Sequence, residues 1–149
     1  MKYELIREQF IARPRREVFA FFEDIENLER ITPAFMNFHV LTKKPVEIRK
    51  GTLIDYRIAL FGLPMKWRTE ITEYNPDETF VDLQIKGPYA LWNHRHSFTE
   101  VEGGTLMQDY VQYAPPLGPL GSLAHAIFIR RTLNRIFDFR EETIRKVFA

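Results

Sequence analysis

The 149-residue sequence contains no cysteine. Disulfides, cysteine-ligated zinc and thiol nucleophiles are therefore excluded, so packing and hydrogen bonds must hold the fold. No run approaches the ~18 consecutive apolar residues that a membrane-spanning helix requires. The opening Met1-Lys2-Tyr3-Glu4-Leu5 lacks the apolar stretch of a secretory signal. The expectation is a cytoplasmic protein without stable membrane insertion. An excess of charge is also missing: 21 Lys and Arg stand against 20 Asp and Glu, a net charge of +1. Nothing in that balance recruits nucleic acid. No repeat, low-complexity tract or linker-like stretch divides the chain, which points to one domain over residues 1–149.

Aromatic residues, by contrast, are plentiful: they make up 14% of the chain and include 13 Phe. Such side chains bring large buried area at low rotamer cost, which suits a thick core or a pocket wall. Residues 2–11 place Tyr3 and Leu5 on one face of a first strand. Pro14 then stands where a helix can begin, and Val18, Phe19, Phe22, Ile25 and Leu28 follow at helical spacing until Thr32-Pro33. Two short helices packed on a sheet are expected.

From Phe38 to Tyr113 the pattern is a strand meander. Residues 53–60 and 65–72 flank a four-residue turn, Phe61-Gly62-Leu63-Pro64. Pairing Leu60 with Met65 would set Ile58 against Trp67, Tyr56 against Thr69 and Ile54 against Ile71. That face is apolar, while Asp55, Arg57, Lys66, Arg68 and Glu70 occupy the other, so one side is buried and one is wet. Asn75-Pro76-Asp77 marks the next turn, before a strand at 79–86. Gly103-Gly104 then signals a hairpin between residues 90–101 and 105–113. Pairing Glu102 with Thr105 would place Phe98 against Asp109, His96 against Val111 and His94 against Tyr113. Trp92, His94, His96 and Phe98 then share an inward face with Met107, Asp109, Val111 and Tyr113.

After Pro115-Pro116-Leu117-Gly118-Pro119, charged or polar residues recur at Arg131, Asn134, Arg135, Asp138, Glu141, Glu142 and Arg145. Leu133, Ile136, Phe137, Ile144, Val147 and Phe148 lie opposite, as on an amphipathic helix. Glu141–Arg145 and Glu142–Lys146 are expected i,i+4 ion pairs. About 28 residues make a helix of roughly 40 Å, which needs a long surface to bury against. Its apolar start, residues 120–129, reads as buried on more than one side or as a mobile lip at a pocket mouth. The predicted fold is α+β: a curved antiparallel sheet of about seven strands wrapped around a long C-terminal helix. Because such a sheet curls away from the helix, an internal cavity is expected. One under ~300 Å³ would be too small for a drug-sized ligand.

These residues resemble the START/Bet v1-like (SRPBCC) superfamily. The resemblance rests on Pro14-Arg15-Arg16-Glu17-Val18-Phe19, Asn27-Leu28 and Ile31-Thr32-Pro33 in the first half. More specific are Leu63-Pro64-Met65-Lys66-Trp67, Phe80-Val81-Asp82-Leu83-Gln84-Ile85-Lys86-Gly87-Pro88-Tyr89 and Trp92-Asn93-His94-Arg95-His96-Ser97-Phe98. This last part is similar to a bacterial subgroup related to polyketide cyclases. The resemblance implies a helix-grip fold around a cavity for a small hydrophobic or amphipathic molecule, such as a lipid, isoprenoid or polyketide-like compound. No cofactor is expected.

The candidate wall comprises Tyr56, Ile58, Trp67 and Thr69 on one hairpin, with Trp92, His94, His96, Phe98, Met107, Asp109 and Val111 on the other. Phe128 of the apolar helix start is a further candidate. Alternation would leave Asp82 and Gln84 in solvent, whereas the resemblance turns Phe80, Asp82 and Gln84 inward, and both orientations remain open. Two histidines two apart on a strand point the same way, but a metal site would need further donors, and Asp109 is the neighbour expected near His96. A hydrogen-bonded structural group or a polar corner for a ligand is the expected reading, with no metal. The alternative is a cyclase- or dehydratase-type enzyme using His94, His96 and Asp109 as acid–base groups. A protein-interaction module is the third possibility, because a fold does not fix a function.

Overall fold

The computed structural model describes residues 1–60 and 62–149. Phe61, at the expected turn, lies outside the described residues. The strands are β1 (Tyr3–Ile11), β2 (His39–Val40), β3 (Leu53–Leu60), β4 (Leu63–Asn75), β5 (Thr79–Lys86), β6 (Leu91–Val101) and β7 (Gly104–Ala114). They form one antiparallel sheet in the order β1-β7-β6-β5-β4-β3-β2. Helices α1 (Arg15–Glu23) and α2 (Ile25–Arg30) follow β1. Asp24 caps α2 by accepting a hydrogen bond from the Glu26 amide at 3.0 Å. A helical run then closes the chain: α3 (Gly118–Ala124), a π turn (His125–Ile129) and α4 (Arg130–Val147). This is the helix-grip arrangement that the pattern predicts.

Both hairpins differ from the expected registers by two residues. Leu60 pairs with Leu63, so Tyr56 faces Trp67 and Ile54 faces Thr69. Val101 pairs with Gly104, which sets His96 against Asp109, His94 against Val111 and Trp92 against Tyr113. Each connection is thus two residues long, the preferred hairpin length, and Gly62 (φ +80°) and Gly103 (φ +83°) supply the left-handed backbone it needs. A slip of two leaves every side chain on its own face because the strand period is two. Facing was therefore readable from the pattern, but pairing was not.

Two irregularities settle the direction of β5. Arg68 pairs with Lys86 and Thr69 with Gln84, which skips Ile85; Ile71 pairs with Asp82 and Glu73 with Val81, which skips Thr72. Bulges of this kind rotate the flanking residues. Phe80 and Val81 are consequently both buried, although they are neighbours. Asp82 pairs with His94 and faces the helix side of the sheet with it.

The interior divides into two apolar groups. One packs α1 and α2 onto the sheet through Val18, Phe19, Ile25 and Ile31, against Ile54, Ile71, Phe80 and Phe98. The other seats the long helix through Ile129, Leu133 and Phe137 on Trp92, Val111 and Tyr113. The solvated stripe of α4 also ties to β1, where Arg7 reaches Asp138 at 2.8 Å and Glu141 at 3.5 Å. Glu141 therefore pairs with Arg7, while Arg145 pairs with Glu142 one residue closer than expected.

Residues 120–129 are not buried on several sides. Leu120, Leu123 and Ile127 are 70%, 60% and 54% exposed, and only Gly121, His125 and Ile129 are buried there. Their four-residue spacing stays on one face because the π turn, with its wider i→i+5 hydrogen bonding, absorbs the drift of a 3.6-residue helix. Gly121 is required at its position: a Cβ there would stand 1.7 Å from the Pro116 carbonyl oxygen. No described helix is long and apolar enough to cross a membrane.

Candidate functional site

Between the two apolar groups lies a cavity of about 160 Å³. The β3–β4 hairpin contributes Tyr56, Ile58, Trp67 and Thr69 to its wall, and β5 and β6 contribute Asp82, Trp92, His94 and His96. The remaining candidates lie elsewhere. Phe98 and Met107 belong to the core under α1, where Phe98 packs edge-on against Phe19 at 5.2 Å between ring centres. Val111 is fully buried beneath the long helix. Phe128 lies on the outer side of the π turn, 56% exposed, because the inward stripe there is taken by His125 and Ile129. Asp109 stands behind the histidines and away from the cavity wall.

Gln84 acts on the wall from outside it. Its side-chain amide donates to the Tyr89 carbonyl at 2.8 Å and its Oε1 accepts from the Tyr89 amide at 3.1 Å. Gly87 makes the clamp possible, since a Cβ there would lie 2.5 Å from Gln84 Oε1. Tyr89 is thereby held against Trp92 (4.9 Å) and Trp67 (5.8 Å), and the two tryptophans meet edge-to-face at 5.5 Å. These three rings form an aromatic corner of the cavity. Trp67 donates its indole N–H to Thr69 Oγ1 at 3.0 Å, which fixes the ring and satisfies a buried threonine.

The opposite corner is charged. His94 Nε2 lies 2.8 Å from Asp109 Oδ1, and His96 Nε2 lies 2.6 Å from Asp82 Oδ2. The two imidazoles stack at 3.7 Å between ring centres, and Phe80 covers the far side of His96 at 4.2 Å. Arg140 completes the cluster by donating to Asp109 at 3.1 Å. Its guanidinium lies over the Phe22 ring at 5.1 Å, and its Nε–H has no partner among the described residues.

Arg140 was not among the sequence candidates, though the signal was present. Positions 133, 137, 140 and 144 are the buried face of α4, and 140 is the only charge on that stripe. A lone charge at a core-facing helical position marks a partnered site in the interior. Tyr89 was likewise missed, because it lies in the connection between β5 and β6 rather than on a patterned strand.

The electrostatics follow from burial opposed by close partners. Burial raises the Asp109 carboxyl, but the Arg140 charge and the hydrogen bonds of both histidines outweigh it and hold the group well below the usual carboxylate range. Asp82 also ends below its ordinary value, with burial overcome by the His96 hydrogen bond and the nearby His94. Burial and the adjacent His96 depress His94, despite its bond to Asp109. For His96, burial is overcome by hydrogen bonds to Asp109 and Asp82, so its affinity for the proton rises. A proton on His96 would bring two carboxylates and one guanidinium to zero net charge, which makes a charged cluster tolerable in a buried site. His94 donates from Nε2 to Asp109, and its Nδ1 lies 3.9 Å from Asp82, an acceptor when the ring is neutral. Chemically, the corner can bind a hydroxyl or phenol and exchange a proton with it.

A second group lies apart from this cavity. His125 is buried, its Nε2 accepts the Tyr113 hydroxyl at 2.7 Å, and its ring stacks on Tyr3 at 3.5 Å. It fastens the π turn to β1 and β7.

Comparison with known proteins agrees with this architecture. A protein of Chromobacterium violaceum, CV1439, superposes with a TM-score of 0.75 at 14% identity, covering 98% of this chain and 97% of that one. A START superfamily protein from Mycobacterium smegmatis gives 0.67 at 13% identity, with coverage of 97% and 98%. The ginseng major latex-like protein 151 gives 0.66 at 12% identity, with coverage of 100% and 99%. At these identities the likeness is one of fold. Among curated proteins, none matches the sequence. The family model for polyketide cyclase / dehydrase and lipid transport matches residues 11–140, nearly the whole chain. The chain therefore belongs to the polyketide cyclase / dehydrase and lipid transport family.

Proposed function

We propose that this protein binds a small amphipathic molecule of about one ring in the cavity between the long helix and the sheet. The apolar part packs on Trp67, Tyr89 and Trp92, and a hydroxyl or phenol meets Asp82 and His94. The observation that carries this reading is the cavity itself: about 160 Å³, aromatic at one corner and charged at the other. That volume is below the ~300–1,000 Å³ of drug-sized pockets and close to the ~150 Å³ that holds a benzene-sized guest. A multi-ring polyketide or a full lipid chain would require side chains to move aside. Asp82 and His94 already have partners in His96 and Asp109, but a pure hydrocarbon would offer nothing to the inner Nδ1 of His94, which favours a ligand with one polar end.

Calorimetric titration with p-cresol and toluene, in the presence of a chelator, tests the proposal. p-Cresol is expected to bind roughly tenfold more tightly, the value of one hydrogen bond to a charged group. The Asp82→Asn change should shrink that margin. Equal affinities, or no binding of either, would refute the reading.

A specific observation supports a second reading, an acid–base enzyme. His94, whose proton affinity burial lowers, stacks directly on His96, whose proton affinity is raised. A base beside a protonated acid is the arrangement a dehydration or ring closure would use. Turnover of a β-hydroxy carbonyl probe that is lost in His94→Gln, with p-cresol affinity retained, would establish it.

A further inference from the structure

The five charged and imidazole side chains have an order that a simple ion cluster does not require. Asp82, His94 and His96 each present one donor atom, and all three lie within 4.8 Å of one another. They come from neighbouring positions of β5 and β6, where Asp82 pairs with His94 and His96 is the next inward residue. Asp82 Oδ2 stands 2.6 Å from His96 Nε2 and 3.9 Å from His94 Nδ1. Donors bound to one ion at ~2.0–2.2 Å are about 2.8–3.6 Å apart, from octahedral to tetrahedral angles, so these separations bracket the required span. The imidazoles, stacked at 3.7 Å between ring centres, would have to open apart for both nitrogens to aim at one ion.

The outer nitrogens carry the stronger sign. His94 Nε2 and His96 Nδ1 both face one oxygen, Asp109 Oδ1, at 2.8 and 3.5 Å. Histidine ligands generally donate their remote N–H to a carboxylate, which fixes ring orientation and strengthens the donor. Here one buried carboxylate does this for His94 and lies near the outer nitrogen of His96, which Arg140 also approaches at 3.5 Å, and Arg140 holds that carboxylate in place at 3.1 Å. The inner nitrogens are thus turned together toward Asp82, and the same three residues line the cavity, which leaves coordination positions open on that side.

We infer that Asp82, His94 and His96 form a binding site for one divalent transition-metal ion of the zinc or ferrous class. Asp109 orients both imidazoles and Arg140 positions Asp109. Two nitrogen donors and one carboxylate exclude calcium and magnesium as the preferred ions, since those take oxygen ligands. Open positions facing an apolar chamber would let the ion receive the oxygen of a bound molecule. Ligand binding as proposed above does not depend on the ion, because the cresol titration is run with a chelator.

Addition of Co²⁺ to the chelator-stripped protein tests the inference. One equivalent is expected to give visible d–d bands of low-symmetry nitrogen and oxygen coordination, and one equivalent of Zn²⁺ should abolish them. Paramagnetic shifts should fall on the ring resonances of His94 and His96 in the unaltered protein, which needs no variant to fold. Asp82→Asn should lose the bands, Asp109→Asn should weaken binding about 10–100-fold while keeping the three donors, and His39→Ala should change nothing. Absence of the bands, or shifts centred on His39 or His125, would overturn the site. Failure here with p-cresol still bound leaves the ligand reading intact, and the converse result separates them equally well.

Discussion

Replacing Arg140 with methionine is a direct probe of the buried cluster. Arg140 is 6% exposed and bonds to Asp109 at 3.1 Å, so the substitution strands a carboxylate in the interior. Breaking a buried ion pair from one side costs about 3–5 kcal/mol. Asp109 would keep His94 at 2.8 Å, and methionine would still fill much of the space beside Phe22, so the lower end applies, about 3 kcal/mol. For a chain of this length each kcal/mol moves the Tm by about 2–4 °C, which predicts a fall of roughly 6–12 °C. Thermal and urea denaturation followed by circular dichroism would read it, with exposed Arg131→Met as the control expected to stay within about 0.5 kcal/mol. Combining Arg140→Met with Asp109→Asn should cost about 1–3 kcal/mol less than the sum of the single changes, because the stranded charge is gone. An Arg140→Met protein as stable as the parent, or strict additivity, would show that the pair is not coupled.

Gly121→Ala should destabilise by about 2 kcal/mol, since its methyl would collide with the Pro116 carbonyl and force the helix start off the preceding loop; Leu120→Ser, one residue away but exposed, should be nearly neutral in the same melts. His125 gives a pH dependence. Burial, then the Arg130 charge, lowers its proton affinity in the folded state, so the unfolded chain takes up the proton first, near pH ~6.5. The stability it contributes is full above that value and is lost as pH falls through it toward the lower folded value. His125→Gln should therefore show a smaller drop in Tm between about pH 7.5 and about pH 5.5 than the parent protein. An unchanged difference would remove His125 as a source of acid sensitivity.

The cluster also shows where pattern reading stops. Asp82 could not be oriented from alternation because Val81 and Leu83 compete for the inward face, and the skipped residues Thr72 and Ile85 decide the matter. Those bulges belong to the pairing of β4 with β5, a property of no single strand. Gln84 illustrates the same limit, since its clamp on Tyr89 depends on a chain reversal through Gly87. Arg140 was legible in principle, as the one charge on an otherwise apolar helical stripe, but its partner Asp109 is 31 residues away on another element. The exposed Leu120, Leu123 and Ile127 were misjudged because apolarity alone does not say how many neighbours surround a helix.

What the sequence determined by itself was everything governed by local period and turn chemistry. The strand faces, the two short helices, the long amphipathic helix and the inward direction of His94, His96 and Asp109 all follow from spacings of two or 3.6 residues. The tertiary structure decided which inward residues meet. Register slips by two are invisible to a period of two, and they set His96 beside Asp109 and Tyr56 beside Trp67. Cavity size is likewise the small remainder between a curved sheet and a helix, fixed only when every side chain is in place. That remainder is about 160 Å³ between an aromatic corner and a cluster of charged and imidazole side chains.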